Sequence, residues 1–253
     1  VTPAAPADAR REAFGEALDR VAALAGGFAD AAAGAADQDP HLAQPVAACP
    51  GWTVRDLVDH LAGIHRWAAA ALGAEHAPRL EGRPETEAPV GWYRASAAHL
   101  VAVLRAAGPD APAWTLWGER TASFWARRQV HELAVHTFDL LDALGRADAW
   151  SIPEDLALDG IREVLEGFYP RQVRLGRSGG LPGVVCFAVT HDDGRPAEAL
   201  VTPAVAGSGG DQALLGTVEG PAAELYLGLW GRRPLPGAPE DLAAALRDAH
   251  LAP

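Results

Sequence analysis

Gln129-Val130-His131-Glu132-Leu133-Ala134-Val135-His136 sets a carboxylate and an imidazole four residues apart in a stretch of helical texture. Each residue turns an α-helix by about 100°, so Glu132 and His136 fall about 40° apart on one face and about 6 Å apart along the axis. His131 points elsewhere. The flanking Phe124, Trp125, Leu133, Ala134, Val135, Phe138, Leu140 and Leu141 are apolar on more than one side, the pattern of a buried helix. An isolated ionised glutamate is costly there, and coordination to a cation is one of the few arrangements that offsets its desolvation. The competing arrangement is an ion pair, because Arg128 stands one helical turn before Glu132.

A divalent ion needs a third donor, and the best one upstream is His60, at the end of Cys49-Pro50-Gly51-Trp52-Thr53-Val54-Arg55-Asp56-Leu57-Val58-Asp59-His60. Outward from these blocks, apolar spacing predicts helix one from Arg10 to about Ala36 through Phe14, Leu18, Val21, Leu24 and Phe28. Thr53 followed by Val54-Arg55-Asp56 is close to a capping box and opens helix two, which runs to about Glu75. Helix three spans Gly91 to Ala107, and helix four spans about Thr121 to Leu144 and stops at Gly145. Four long amphipathic helices in succession imply a bundle, in whose core facing side chains can converge on a metal. His65 lies about 140° around helix two from His60, outside that site and predicted at the surface or between helices.

From Trp150 the texture changes. A short helix near Pro153 to Gly167 precedes β-like runs at Gly183 to His191 and Ala197 to Thr202, joined by the turn signal Asp192-Asp193-Gly194-Arg195. A further apolar run spans Gln212 to Val218, and helices return over Pro221 to Trp230 and Pro239 to Ala249. The predicted fold class is α+β: a four-helix bundle over residues 1–149 and a small α+β domain over 150–253.

A net charge of −12 argues against a nucleic-acid backbone or an anionic membrane surface as the main partner. There is no run of about 18 apolar residues and no basic-then-apolar opening, so the expected location is cytoplasmic. Two cysteines are too few for a disulfide framework or a thiolate metal cage. All 21 basic residues are arginine, which excludes a Schiff-base lysine. Cys49 reads as a compact, partly buried residue ahead of helix two. Asp56 and Asp139 are candidates to orient an imidazole, although an aspartate at such a position is more often a cap or a solvated charge. The tryptophans read as core packing.

Three signatures together, Cys49 to Leu57 with His60, His131 to His136, and Leu229-Trp230-Gly231-Arg232, resemble the mycothiol-dependent maleylpyruvate isomerase family. The resemblance implies a DinB-like four-helix bundle and a C-terminal domain related to sterol-carrier proteins. It also implies a divalent metal, usually zinc, held by His60, Glu132 and His136, with the sulfur of a thiol cofactor, mycothiol, at an open metal position. Arg232 would help to hold an anionic substrate, with an ambiguity of one residue because Arg233 adjoins it.

Two imidazoles and one carboxylate leave zinc room for an exogenous ligand, although the same set can hold ferrous iron. A coordinated thiol is deprotonated, and its reversible addition to an unsaturated acid would turn a double bond into a rotatable single bond. The expected function is therefore a metal-dependent enzyme that uses the thiol to isomerise or S-conjugate a small electrophile, in which an arginine can clamp a carboxylate. Two other classes compete: a non-catalytic small-ligand-binding or regulatory protein, and a thiol-independent zinc hydrolase.

Overall fold

The computed structural model describes residues 7–33, 40–191, 193–203 and 213–253, and the chain divides into two compact units, Val1–Trp150 and Ser151–Pro253. The fold is α+β, helical in the first unit and built on a small sheet in the second.

The first unit consists of α1 (Ala7–Ala33), α2 (Val54–Ala70), α3 (Pro89–Ala107) and α4 (Ala122–Ala143). Phe14, Leu18, Val21, Ala25 and Phe28 form the inward stripe of α1, which packs on α3 and α4, while α2 packs on α3 and α4. The expected end of helix one, Gly34 to Ala36, lies outside the described residues. α4 is buried on nearly every face, from Ala122 to Leu141, as its all-round apolar sequence requires. Trp67, Trp114 and Trp125 form a core cluster with ring centroids 5.2–6.2 Å apart, and the Trp67 and Trp125 indole N–H groups donate to the Pro78 and Trp114 carbonyls.

α2 starts where expected. The Thr53 backbone N–H donates to Asp56 Oδ2 at 2.8 Å, and the Asp56 N–H donates back to Thr53 Oγ1 at 3.4 Å, a complete capping box. Asp56 therefore serves the cap and not an imidazole. The helix ends at Ala70, short of the expected Glu75, because the next backbone groups pair elsewhere. Gly73 N–H donates to Pro112 O, and Trp114 N–H donates to Ala71 O. α4 stops through a Schellman arrangement: Gly145 has φ +70°, its N–H donates to Asp142 O, and the Arg146 N–H donates to Leu141 O.

In the second unit, α5 (Glu154–Arg162) continues through a π-helical stretch (Glu163–Phe168) into α6 (Tyr169–Arg174), past the expected end at Gly167. Pro170 accounts for the widened turn. A regular α-helix would aim the carbonyl of residue 166 at a proline ring that has no N–H, and a π-turn shifts that pairing. Three strands follow, β1 (Val184–Thr190), β2 (Pro196–Val201) and β3 (Leu214–Pro221), in the order β2-β1-β3. β2 runs antiparallel and β3 parallel to β1, with Phe187 opposite both Leu200 and Val218. Val185, Phe187 and Val189 alternate into the core. Asp192 of the expected hairpin turn and Gln212 of the expected third strand lie outside the described residues. β3 leads into α7 (Ala222–Leu229), and α8 (Glu240–Asp248) closes the unit.

Candidate metal centre

Two local structures deliver the donors. The segment before α2 doubles back, with Val46 N–H donating to Trp52 O and Trp52 N–H to Cys49 O, and Gly51 takes the left-handed φ of +84° that this turn requires. The turn returns Trp52 to α2, where its ring lies 4.8 Å from that of His60. On α4, Arg128, Glu132, His136 and Asp139 follow one another at four-, four- and three-residue steps along one face.

His60, Glu132 and His136 converge, each offering a donor atom, all within 4.8 Å of one another. One carboxylate oxygen, Glu132 Oε1, lies 3.1 Å from His60 Nε2 and 3.4 Å from His136 Nε2. Zinc bonds of 2.0–2.1 Å in a tetrahedral arrangement place ligand atoms about 3.3 Å apart, so these separations fit the edges of such a site. The other oxygen, Oε2, accepts from the Arg128 guanidinium. The ion pair that competes with coordination in the sequence thus occupies only one carboxylate oxygen and leaves the other to the histidines.

His136 is oriented from behind. Its Nδ1 lies 2.8 Å from Asp139 Oδ2, and the Asp139 side chain is fully buried. With Nδ1–H donating to that carboxylate, Nε2 faces Glu132, donating to it while the ring is protonated and presenting the lone pair a metal ligand needs once that proton leaves. The electrostatics agree. Burial works to raise the Glu132 pKa, but the Arg128 charge and the hydrogen bonds from His136 and His60 outweigh it and hold the carboxyl well below its ordinary range. For His136, burial opposes the charged form, yet hydrogen bonds to Asp139 and Glu132 prevail and raise its pKa, so protons compete with a cation for this ring. His60 keeps 25% of its side-chain exposure, which leaves the cluster open on that side. Donor set, spacing, tautomer and opening all fit a divalent ion with a vacant position.

Comparison with known proteins places the chain in a family. Residues 21–141 match the family model described as the mycothiol maleylpyruvate isomerase N-terminal domain, and residues 155–253 match the MDMPI C-terminal domain. The chain belongs to the mycothiol-dependent maleylpyruvate isomerase family. A solved relative, the crystal structure of the mycothiol-dependent maleylpyruvate isomerase, shares its fold, with a TM-score of 0.57 and 16% identity over 87% of this chain and 90% of that one. No curated protein sequence matches significantly.

This member of the maleylpyruvate isomerase family carries Arg232 in its second unit, just after α7. Arg232 Nη1 donates to the Trp230 carbonyl at 2.7 Å, and its guanidinium lies 6.0 Å from the centre of the Trp230 ring. Arg232 and Arg233 line the same cavity of about 480 Å³, together with Arg247 and His250. His65, expected at the surface or between helices, is fully buried between α2 and α4, with Nδ1 2.6 Å from Gln129 Oε1. Gln129, on α4 one turn before Glu132, supplies the polar partner that the buried His65 ring needs, a contact between helices that spacing along either one alone does not encode.

Proposed function

We propose that the protein is a metal-dependent enzyme that uses mycothiol as cosubstrate to isomerise a small electrophilic acid, with S-conjugation as the related outcome if the thiol adduct is retained. Membership of a family of thiol-dependent isomerases supports the thiol and the reaction type. The observation that carries the metal is the convergence of His60, Glu132 and His136 with Asp139 behind His136.

His60 and His136 would hold the ion through Nε2, and Glu132 through Oε1. Bound there, a zinc ion would lower the pKa of a coordinating thiol enough to supply a thiolate at neutral pH. The chain's own groups prepare that chemistry. Arg128 keeps Glu132 ionised and fixes its second oxygen, so the first points at the histidines. Asp139 holds the proton on His136 Nδ1. Trp52 packs its ring 4.8 Å from that of His60 and restricts the freedom of that imidazole. Arg232 is assigned the substrate carboxylate, which its planar guanidinium can bind bidentately.

The test joins metal content to turnover. Wild-type protein purified without a tag should carry close to one divalent ion per chain and isomerise maleylpyruvate only when mycothiol is present, and His136→Ala should lose both ion and turnover. Equal metal content in the two proteins, or undiminished turnover with the thiol omitted, overturns the proposal.

A further inference from the structure

His136 has two ring nitrogens, and both face groups able to bind a metal. Nε2 serves the cluster above. Cys49 Sγ, a ring nitrogen of His136 and an Asp139 carboxylate oxygen also lie within 4.8 Å of one another, and the nitrogen that Asp139 contacts, at 2.8 Å, is Nδ1. Cys49 is half-buried at the turn before α2, and Asp139 is buried on α4. The tight Val46–Trp52 turn supplies Cys49 and α4 supplies His136 and Asp139, whereas the first triad draws His60 from α2.

We propose that Cys49, His136 Nδ1 and Asp139 form a second, inhibitory site for a soft divalent cation, zinc or cadmium in excess. Thiolate, imidazole and carboxylate are a donor set for such ions and a poor one for magnesium or calcium. On binding, the Sγ and Nδ1 protons leave to solvent, and Asp139 exchanges its hydrogen bond with Nδ1–H for a coordinate bond. The two sites are antagonistic. Asp139 no longer fixes the His136 tautomer, and an imidazole that serves ions through both nitrogens must give up its last proton. The second site therefore fills after the first and loosens it. This inference rests on His136 serving the first site through Nε2.

Cadmium chloride titration separates the two sites, because only a sulfur ligand gives the ultraviolet thiolate-to-cadmium charge-transfer band. In wild type the first ion should bind without that band, and the band should grow only with excess cadmium. His60→Gln, which weakens the first site alone, should bring the band in at lower cadmium. Cys49→Ser should abolish it while still binding the first ion, and Cys186→Ser, which alters the other cysteine, should keep it. No band in wild type, or an undiminished band in Cys49→Ser, overturns the second site. Failure of the first site reads differently, as loss of the band-free binding event in wild type.

Discussion

Asp139 never touches the ion in the proposed first site, yet it decides whether His136 can. Its buried carboxylate, 2.8 Å from Nδ1, selects the tautomer and fixes the ring. Partners of this kind are worth about 10–100-fold in metal affinity. Asp139→Asn, which keeps the shape and removes the charge, should weaken zinc by that factor in competition with a chromophoric chelator, with the helical circular dichroism unchanged. Wild-type affinity in the variant would sever Asp139 from the centre. Glu132 and His136 are legible in the sequence because a four-residue step is a property of one helix. His60 stands on a second helix, so the sequence offers it as a donor but only packing brings it to Glu132. Asp139 sits at an equally regular step, but near a helix end a carboxylate also fits a solvated charge, and only burial separates the readings. Cys49 depends on how a turn packs against α4, which no local pattern encodes.

Among the elements, α5 and α7 meet at a point where one hydrogen atom is the whole allowance. A Cβ on Gly160 would stand 2.1 Å from Tyr226 Cε2, and the tyrosine ring is fully buried and cannot withdraw. Alanine is the better helix former by about 1 kcal/mol, but overpacking of a dense core costs about 1–3 kcal/mol. Gly160→Ala should therefore lower stability, read as a lower urea midpoint with an unchanged slope. A midpoint at or above wild type would mean that the ring and helix part at no cost. Helix starts and stops that rest on local chemistry are readable in advance, as at Thr53 and Gly145. The end of α2 is not, because residues 112–114 capture the backbone beyond Ala70. Nor is the passage through Pro170, which reads as a stop until a π-turn carries the helix past it.

At the scale of the molecule, the acidic chain of net charge −12 buries an imidazole, that of His65, deep in its helical unit. His65 is fully buried, and desolvation pulls its pKa from 6.5 to about 4, against the opposing influence of Gln129 and Glu132. Between those values the unfolded chain carries a proton on this ring that the folded chain refuses. Stability is therefore complete above pH 6.5, declines as the pH falls towards about 4, and loses nothing more from this group below that, where both states are protonated. The full difference corresponds to about 3 kcal/mol. His136, whose pKa is raised, works in the opposite sense in metal-free protein, so the two must be separated by substitution and not by the shape of a single curve. His65→Gln stays uncharged at every pH and keeps a polar group facing Gln129. In chelator-treated protein, urea unfolding of the helical unit should show wild type losing up to about 3 kcal/mol more than this variant between pH 6.5 and 4, with the gap closing below. Parallel stability curves for the two proteins would show that His65 takes up its proton inside the folded bundle and that its burial carries no such acid sensitivity.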